Sequence, residues 1–415
     1  MRFLLITLTA LILAGCNAVP VKNVQEIKTV AKLNKKITTP VNIPVAYYAE
    51  EQELTRIMQL NSGGGGRWIF PTGQQFKEAL DLVLPGIFAR AEPLKLGGKP
   101  KYLFRFSGKP EFDSMFGTAT VTLSTSVTNR SGDIIYETQT EGSSSTGGIG
   151  GGYETIFMNA FAQAIKEATT RFLNHTGSVR LAETQNAAPA PLVTTDNVLS
   201  LLDGVQPVGT GTGFFMNKTG QILTASHVIN GCLLTQIKHE DKTYNTKLAA
   251  QSRILDTALL EITNDDFQAP EAYARISTDG NVTLGTQVFT TGYPLSSVLS
   301  AQANLTLGNI SSLGGLKGAI GAFQYSAPIQ SGSSGGPIVD YNGQLIGLVT
   351  STINEDKVKS AGATTQNINF GLSNSYIIQF LNNNNITYSG KKPAKGFEKA
   401  SQQAVAYTIP VLCYK

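Results

Sequence analysis

A serine hydroxyl, an imidazole and a carboxylate occur in this chain in settings that would let them act together. The run Ile329-Gln330-Ser331-Gly332-Ser333-Ser334-Gly335-Gly336-Pro337-Ile338-Val339 sets Ser334 among glycines just before an apolar segment resumes. Glycine lets a backbone turn sharply and approach a substrate closely. A loop of that kind can aim a hydroxyl outward and leave backbone N–H groups free for a developing oxyanion. Upstream lie Leu223-Thr224-Ala225-Ser226-His227-Val228-Ile229 and Leu255-Asp256-Thr257-Ala258-Leu259-Leu260, each with its polar residue in an apolar context able to fix it. A serine is a poor nucleophile at neutral pH unless an adjacent base takes its proton. Imidazole can accept that proton and return it, and a buried carboxylate fixes the tautomer and steadies the imidazolium. The separations are 29 residues (256 − 227) and 78 residues (334 − 256). Asp265 and Asp266 compete poorly for the carboxylate role because no Ala-Leu-Leu strand follows them. His239 lies in the charged stretch 238–242 and reads as exposed.

Together the three motifs resemble the trypsin-like (chymotrypsin-fold) serine proteases, closest to the compact bacterial branch that includes the HtrA proteases. The resemblance covers roughly residues 205 to 380. It extends past the serine to Gly343-Gln344-Leu345-Ile346-Gly347-Leu348-Val349-Thr350, like the substrate-lining strand, and to Asn369-Phe370-Gly371-Leu372. It implies an all-β double barrel acting on a protein or peptide substrate, with no cofactor and no metal. Ser334 would be nucleophile, His227 general base and acid, and Asp256 the orienting carboxylate. Gly332 and Ser334 would supply the oxyanion-hole N–H groups.

For the substrate pocket, Pro328 stands where an Arg/Lys-specific enzyme carries a carboxylate, and Ile329, Thr352 and Ile353 form the remaining wall. The resemblance therefore implies small or medium apolar side chains before the scissile bond. Ser333 departs from the pattern, standing where animal enzymes have aspartate and HtrA proteases asparagine, so activation by a cleaved N-terminus is not expected. No PDZ-like domain is expected to follow, and chaperone behaviour is not carried over. An esterase is disfavoured by order, since α/β-hydrolases run Ser, Asp, His around Gly-x-Ser-x-Gly. The alternative of another class is a catalytically silent binding lipoprotein using the fold as a scaffold, which would have no need of all three side chains.

The elements that must hold these residues sit in a chain of 415 residues, long enough for two or three domains. It is 41% apolar and 15% charged with 42 glycines, which suits a β-rich, turn-rich protein. The net charge of +4 and the absence of Lys/Arg runs give no reason to propose nucleic acid.

Residues 1–15 read as an export signal. It ends in Leu13-Ala14-Gly15-Cys16, which resembles the lipobox of bacterial lipoproteins and implies acylation of Cys16. The expected anchor is thus a lipid membrane, with Asn17 favouring the outer membrane of a bacterial envelope. Residues 16–40 read as a tether. Of the two remaining cysteines, Cys232 and Cys413 either pair, tying the tail to the segment after His227, or stay as two thiols; the sequence leaves both open.

Residues 41–178 read as an α+β module. Phe76, Leu80, Val83 and Ile87, and later Ile156 to Phe172, fall at helical spacing. Between them, Tyr102 to Phe106, Ala119 to Thr128 and Asp133 to Thr140 read as strands, the last two joined by a hairpin signal at 129–132. The module's expected role is to engage a protein partner. Its glycine runs, 63–66 and 147–152, lack the Lys-Ser/Thr of a phosphate loop, and His175 reads as a helix-terminal residue. An Ala/Pro-rich linker is expected over 179–195, the double-barrel domain over 196–385, and a loosely structured tail over 386–415, apolar enough near Val405 to Cys413 to dock.

Overall fold

The structure is a computed structural model that describes residues 40–61, 67–129, 131–145, 153, 155–175, 193–202, 205–276, 282–294, 302–315, 319–352, 367–390 and 396–415. The expected leader, Cys16 and tether, both glycine runs, most of the expected linker, and Ile353 lie outside them. The architecture is multi-domain: an α+β region followed by two closed six-stranded barrels.

The first region contains β1 (Val41–Tyr48), α1 (Glu51–Leu54), β2 (Met58–Asn61), β3 (Arg67–Phe70), α2 (Thr72–Ile87), β4 (Phe88–Pro93), β5 (Tyr102–Asp113), β6 (Thr118–Thr128), β7 (Ile134–Ser145) and α3 (Ile156–His175). Five strands form one sheet in the order β4-β1-β5-β6-β7, with β1 parallel to both neighbours. Helices α2 and α3 turn their apolar stripes onto it, Phe76 stacking on Phe161 with ring centroids 4.4 Å apart. The expected hairpin is there: Asn129 Oδ1 accepts the N–H groups of Ser131 and Asp133, an Asx turn that ends β6 and starts β7.

Strand β1 is buried on both faces. Val45 and Tyr47 join the helix-side core, while Ala46 and Tyr48 face the other way. There, with Leu103 and Leu94, they meet Leu234, Leu412 and Tyr414 of the first barrel in a shared apolar cluster. Helix α4 (Val198–Leu201) adds Val198 to the same cluster. Val193, at the end of the expected linker, pairs its backbone with Gly97 and Gly98 of the module.

The first barrel comprises β8 (Gly209–Phe215), β9 (Ile222–Thr224), a 3₁₀ turn (Ser226–Ile229), β10 (Leu234–His239), β11 (Lys242–Ser252) and β12 (Thr257–Ile262). The second comprises β13 (Gln287–Gly292), β14 (Asn304–Ser312), β15 (Ala322–Tyr325), β16 (Pro337–Asp340), β17 (Leu345–Thr352) and β18 (Asn369–Ser373). Two helices follow, α5 (Asn374–Asn383) and α6 (Phe397–Tyr407), then a last strand, β19 (Thr408–Tyr414).

That strand corrects the expectation of a loosely structured tail. It lies between β8 and β10 and closes the first barrel, with every one of its residues buried. The physical reason is its run of apolar and β-branched side chains, which has barrel core on one face and the module on the other. Cys232 and Cys413 are joined by a disulfide, with Cα atoms 5.4 Å apart, so the end of β19 is also covalently fixed to the segment after the 3₁₀ turn.

Candidate active site

The 3₁₀ turn that follows β9 carries His227, and the turn leading into β12 carries Asp256. Strands β9 and β12 are paired, with Thr224 opposite Ala258, so residues a step beyond each pairing come together. Three hydrogen bonds result. The Ser226 N–H donates to the Asp256 carbonyl at 3.1 Å. The His227 N–H donates to Asp256 Oδ1 at 2.9 Å, and His227 Nδ1 to Oδ2 at 2.7 Å. An ionised carboxylate only accepts, so the imidazole proton is held at Nδ1 and Nε2 is left bare to accept another.

Asp256 takes φ +47°, the left-handed region, where aspartate is among the few residues tolerated. That backbone lets one carboxylate reach both the ring and the main chain of residue 227. Asp256 is not the buried carboxylate expected: its side chain is 31% exposed and that of His227 49%. The turn before β12 sits at the surface, and orientation comes from the two-point grip rather than from exclusion of water.

Ser334 lies between β15 and β16 in a loop folded on itself. The Ser333 N–H donates to the Gln330 carbonyl at 2.9 Å, the Gly336 N–H to the Ser333 carbonyl at 3.0 Å, and the Gly335 N–H to the Val349 carbonyl at 2.8 Å. Gly332 and Gly335 take φ +97° and +86°. A Cβ on Gly335 would sit 2.1 Å from the Thr212 carbonyl oxygen and 2.8 Å from the Ala225 nitrogen. Only glycine fits between the barrels there, against Ala225, which stands two residues before His227 in the chain. The Thr212 N–H donates to the Ser334 carbonyl across the same gap at 2.9 Å. Among the described residues no acceptor takes the N–H of Gly332 or Ser334, and no hydrogen bond joins Ser334 to His227. Catalytic hydrogen bonds are often long before substrate binds.

The other expected residues fall as follows. Pro328 is exposed, its carbonyl accepting the Thr306 hydroxyl at 2.8 Å. Ile329 is half-buried against the second barrel's core. Thr352 ends β17, and Ile353 lies outside the described residues. His239 is not exposed as expected but half-buried, its ring 5.0 Å from that of Phe215; burial lowers its pKa. Among the described residues no group of three His, Cys, Asp or Glu side chains could hold a metal, and no helix is long and apolar enough to cross a membrane. Sequence reasoning missed Thr212 altogether. The only signal was a hydroxyl between Gly211 and Gly213 in a strand otherwise made to pack.

Residues 211–348 match the trypsin-like peptidase domain family. An uncharacterized protein, y4bJ, of Sinorhizobium fredii is 34% identical over 212 residues, which is 49% of this chain and 32% of that protein. Protease Do-like 1, chloroplastic, of Arabidopsis thaliana is 32% identical over 35% of this chain and 33% of its own. Serine protease Do-like HtrA of Bacillus subtilis is 29% identical over 37% of this chain and 36% of its own. The chain thus spans about a third of the length of these curated relatives.

Proposed function

We propose that this chain is a serine endopeptidase that hydrolyses peptide bonds through an acyl-enzyme. The observation that carries the reading is the two-point grip of Asp256 on His227, in the barrel on which the glycine-framed loop of Ser334 packs. The match of residues 211–348 to the trypsin-like peptidase domain and the Do-like proteases among the relatives support it. In this reading Ser334 Oγ attacks the substrate carbonyl carbon as its proton passes to His227 Nε2. The carbonyl oxygen gains negative charge and takes the N–H groups of Gly332 and Ser334. The carbon–nitrogen bond then breaks, the amine leaving with the proton returned by His227. Water attacks the resulting ester by the same route, with His227 again as base.

The finer parts of the proposal are these. The pocket formed by Pro328, Ile329, Thr352 and Ile353 favours small or medium apolar side chains, because an unpaired cation would be costly to bury there. Acylated Cys16 anchors the protein to the outer membrane of a bacterial envelope, and the module of residues 41–178 engages a protein partner.

The test uses the full chain. A fluorophosphonate probe labels Ser334, and Ser334→Ala abolishes labelling and lowers casein cleavage roughly 10⁴-fold or more. Cleavage undiminished in Ser334→Ala sinks the assignment. A wild-type protein that binds casein without labelling or cleavage favours the scaffold reading. Cys16→Ser moves the protein from the membrane to the soluble fraction; unchanged membrane association removes the lipid anchor.

A further inference from the structure

The reactive loop of the second barrel is registered on the first barrel by one threonine. Thr212, on β8, is fully buried. Its main-chain N–H donates to the Ser334 carbonyl, and its carbonyl accepts the Thr224 hydroxyl at 2.7 Å. Its own hydroxyl has a single proton. The Tyr293 N–H donates to Thr212 Oγ1 at 3.0 Å, which uses a lone pair and leaves that proton for the Gly332 carbonyl, 2.7 Å away. Buried as the side chain is, the direction of the hydroxyl is set by these two partners.

The consequence concerns one peptide group, between Gly332 and Ser333. Its carbonyl is held by Thr212, and its N–H is held by the Gln330 carbonyl. The peptides on either side contribute the N–H groups of Gly332 and Ser334, the pair that meets no acceptor among the described residues. A pinned central peptide therefore fixes the angle between the two donors of the oxyanion hole. Without the hydroxyl, the buried Gly332 carbonyl would lose its donor and the Tyr293 N–H its acceptor. Turning the central peptide towards solvent would relieve the first, and Gly332, lacking a Cβ, offers little resistance to that turn. Both flanking N–H groups would turn with it.

We propose that Thr212 is a positioning residue: its hydroxyl, carried by the barrel that holds His227 and Asp256, sets the oxyanion hole on the opposite barrel. The proposal rests on the endopeptidase reading. It assigns to β8 a part in transition-state stabilisation, although Thr212 touches neither substrate nor reacting atom.

The experiment compares Thr212→Ser, Thr212→Cys and Thr212→Val in the full chain. The readouts are kcat and KM on a fluorogenic peptide, the rate of fluorophosphonate labelling at Ser334, and the melting temperature. Direct removal of an oxyanion donor costs about 10²–10³ in kcat, so this indirect loss is expected to be smaller. Thr212→Val, which keeps the shape, lowers kcat and labelling roughly 10- to 100-fold while KM stays within about twofold. Thr212→Ser stays within about threefold of wild type, and Thr212→Cys, a weak donor, falls between.

Activity ordered by donor strength supports the proposal. Activity ordered by packing, with Val equal to Thr and Ser impaired, overturns it, as does a folded Thr212→Val that labels at the wild-type rate. If Thr212→Val does not fold, the comparison of Ser with Cys decides: Ser above Cys supports the proposal and Cys equal to Ser overturns it. Wild-type protein that fails to label Ser334 overturns the endopeptidase reading itself, an outcome distinct from any of these.

Discussion

The two barrels reach the same six-stranded closure by opposite routes. The second is built from β13 to β18, one continuous stretch of chain from Gln287 to Ser373. The first uses β8 to β12 and then waits for β19, which begins 146 residues after β12 ends (408 − 262). Loop-closure entropy makes such a distant strand the more costly partner to recruit. The structure answers with three things on that strand alone: seven buried positions, a disulfide, and a module packed over its outer face. The lesson is about where function depends on fold. His227 and Asp256 sit in the barrel that needs a distant segment, whereas Ser334 sits in the barrel that closes by itself. The two are joined through β8, where Thr212 lies opposite Pro410 of β19 on one side and bonds the serine loop on the other.

Deleting residues 408–415 is the harshest test of that asymmetry. It opens the first barrel at β8 and β10 together and exposes the cluster around Leu234 and Tyr48. The expected outcome is complete loss of fluorophosphonate labelling, with hydrogen exchange of β8 to β12 amides approaching that of an unfolded chain. The second barrel's amides should stay more protected. Retained labelling in the truncated protein would show that β19 is an accessory strand and that the closures are not as different as drawn.

The disulfide allows a graded version. Replacing both Cys232 and Cys413 by serine should cost about 2–5 kcal/mol of stability, as expected for a native bridge closing a long loop; here the separation is 181 residues. The loss should appear as a lower melting temperature with faster exchange in the first barrel before the second. Cys232 also lines a cavity of about 470 Å³ between the module and the barrel, and reduction of the bridge by a thiol should reproduce the effect without mutation. Equal loosening of both barrels would contradict the comparison.

What could be read from the sequence divides along the same line. The serine loop, His227 and Asp256 were legible because their signals are local: glycines that permit close approach, and a polar residue set in an apolar run. The helices α2 and α3 were legible from their 3.6-residue spacing. Strand β19 was not, because an apolar run from Val405 to Cys413 that ends one helix and then becomes a strand carries no single period, and its partners are almost 200 residues away. Strand β1 was missed for a related reason. Buried on both faces and interrupted by Pro44, it has no alternation to read. The partial exposure of Asp256 and the hydroxyl of Thr212 depend on contacts between segments that no local pattern records.

The smallest expected effect concerns the pocket, and it sharpens the comparison because it should be confined to the second barrel. The segment before Ser334, proposed above as the pocket wall, is held from within that barrel. Asn369 on β18 donates from Nδ2 to the Ala327 carbonyl at 2.7 Å, and the Pro328 carbonyl takes the Thr306 hydroxyl of β14. Ile329 packs partly on the core formed by Val288, Ile310, Phe323 and Tyr325. In Ile329→Ala the branched side chain is lost while these main-chain anchors remain. Cleavage of a peptide library should then shift from Val and Ala towards Leu and Met before the scissile bond. The expected gain is about 1–3 kcal/mol of discrimination per methylene accommodated. The rate of labelling by a small fluorophosphonate should be little changed, because that probe does not fill the pocket. An unchanged library profile would show that Ile329 does not wall the pocket. A profile dominated by Arg or Lys, in either protein, would mean that a carboxylate elsewhere reaches the site. A fall in labelling with no change in preference would mean that the second barrel transmits strain to the serine loop, and is then no more self-sufficient than the first.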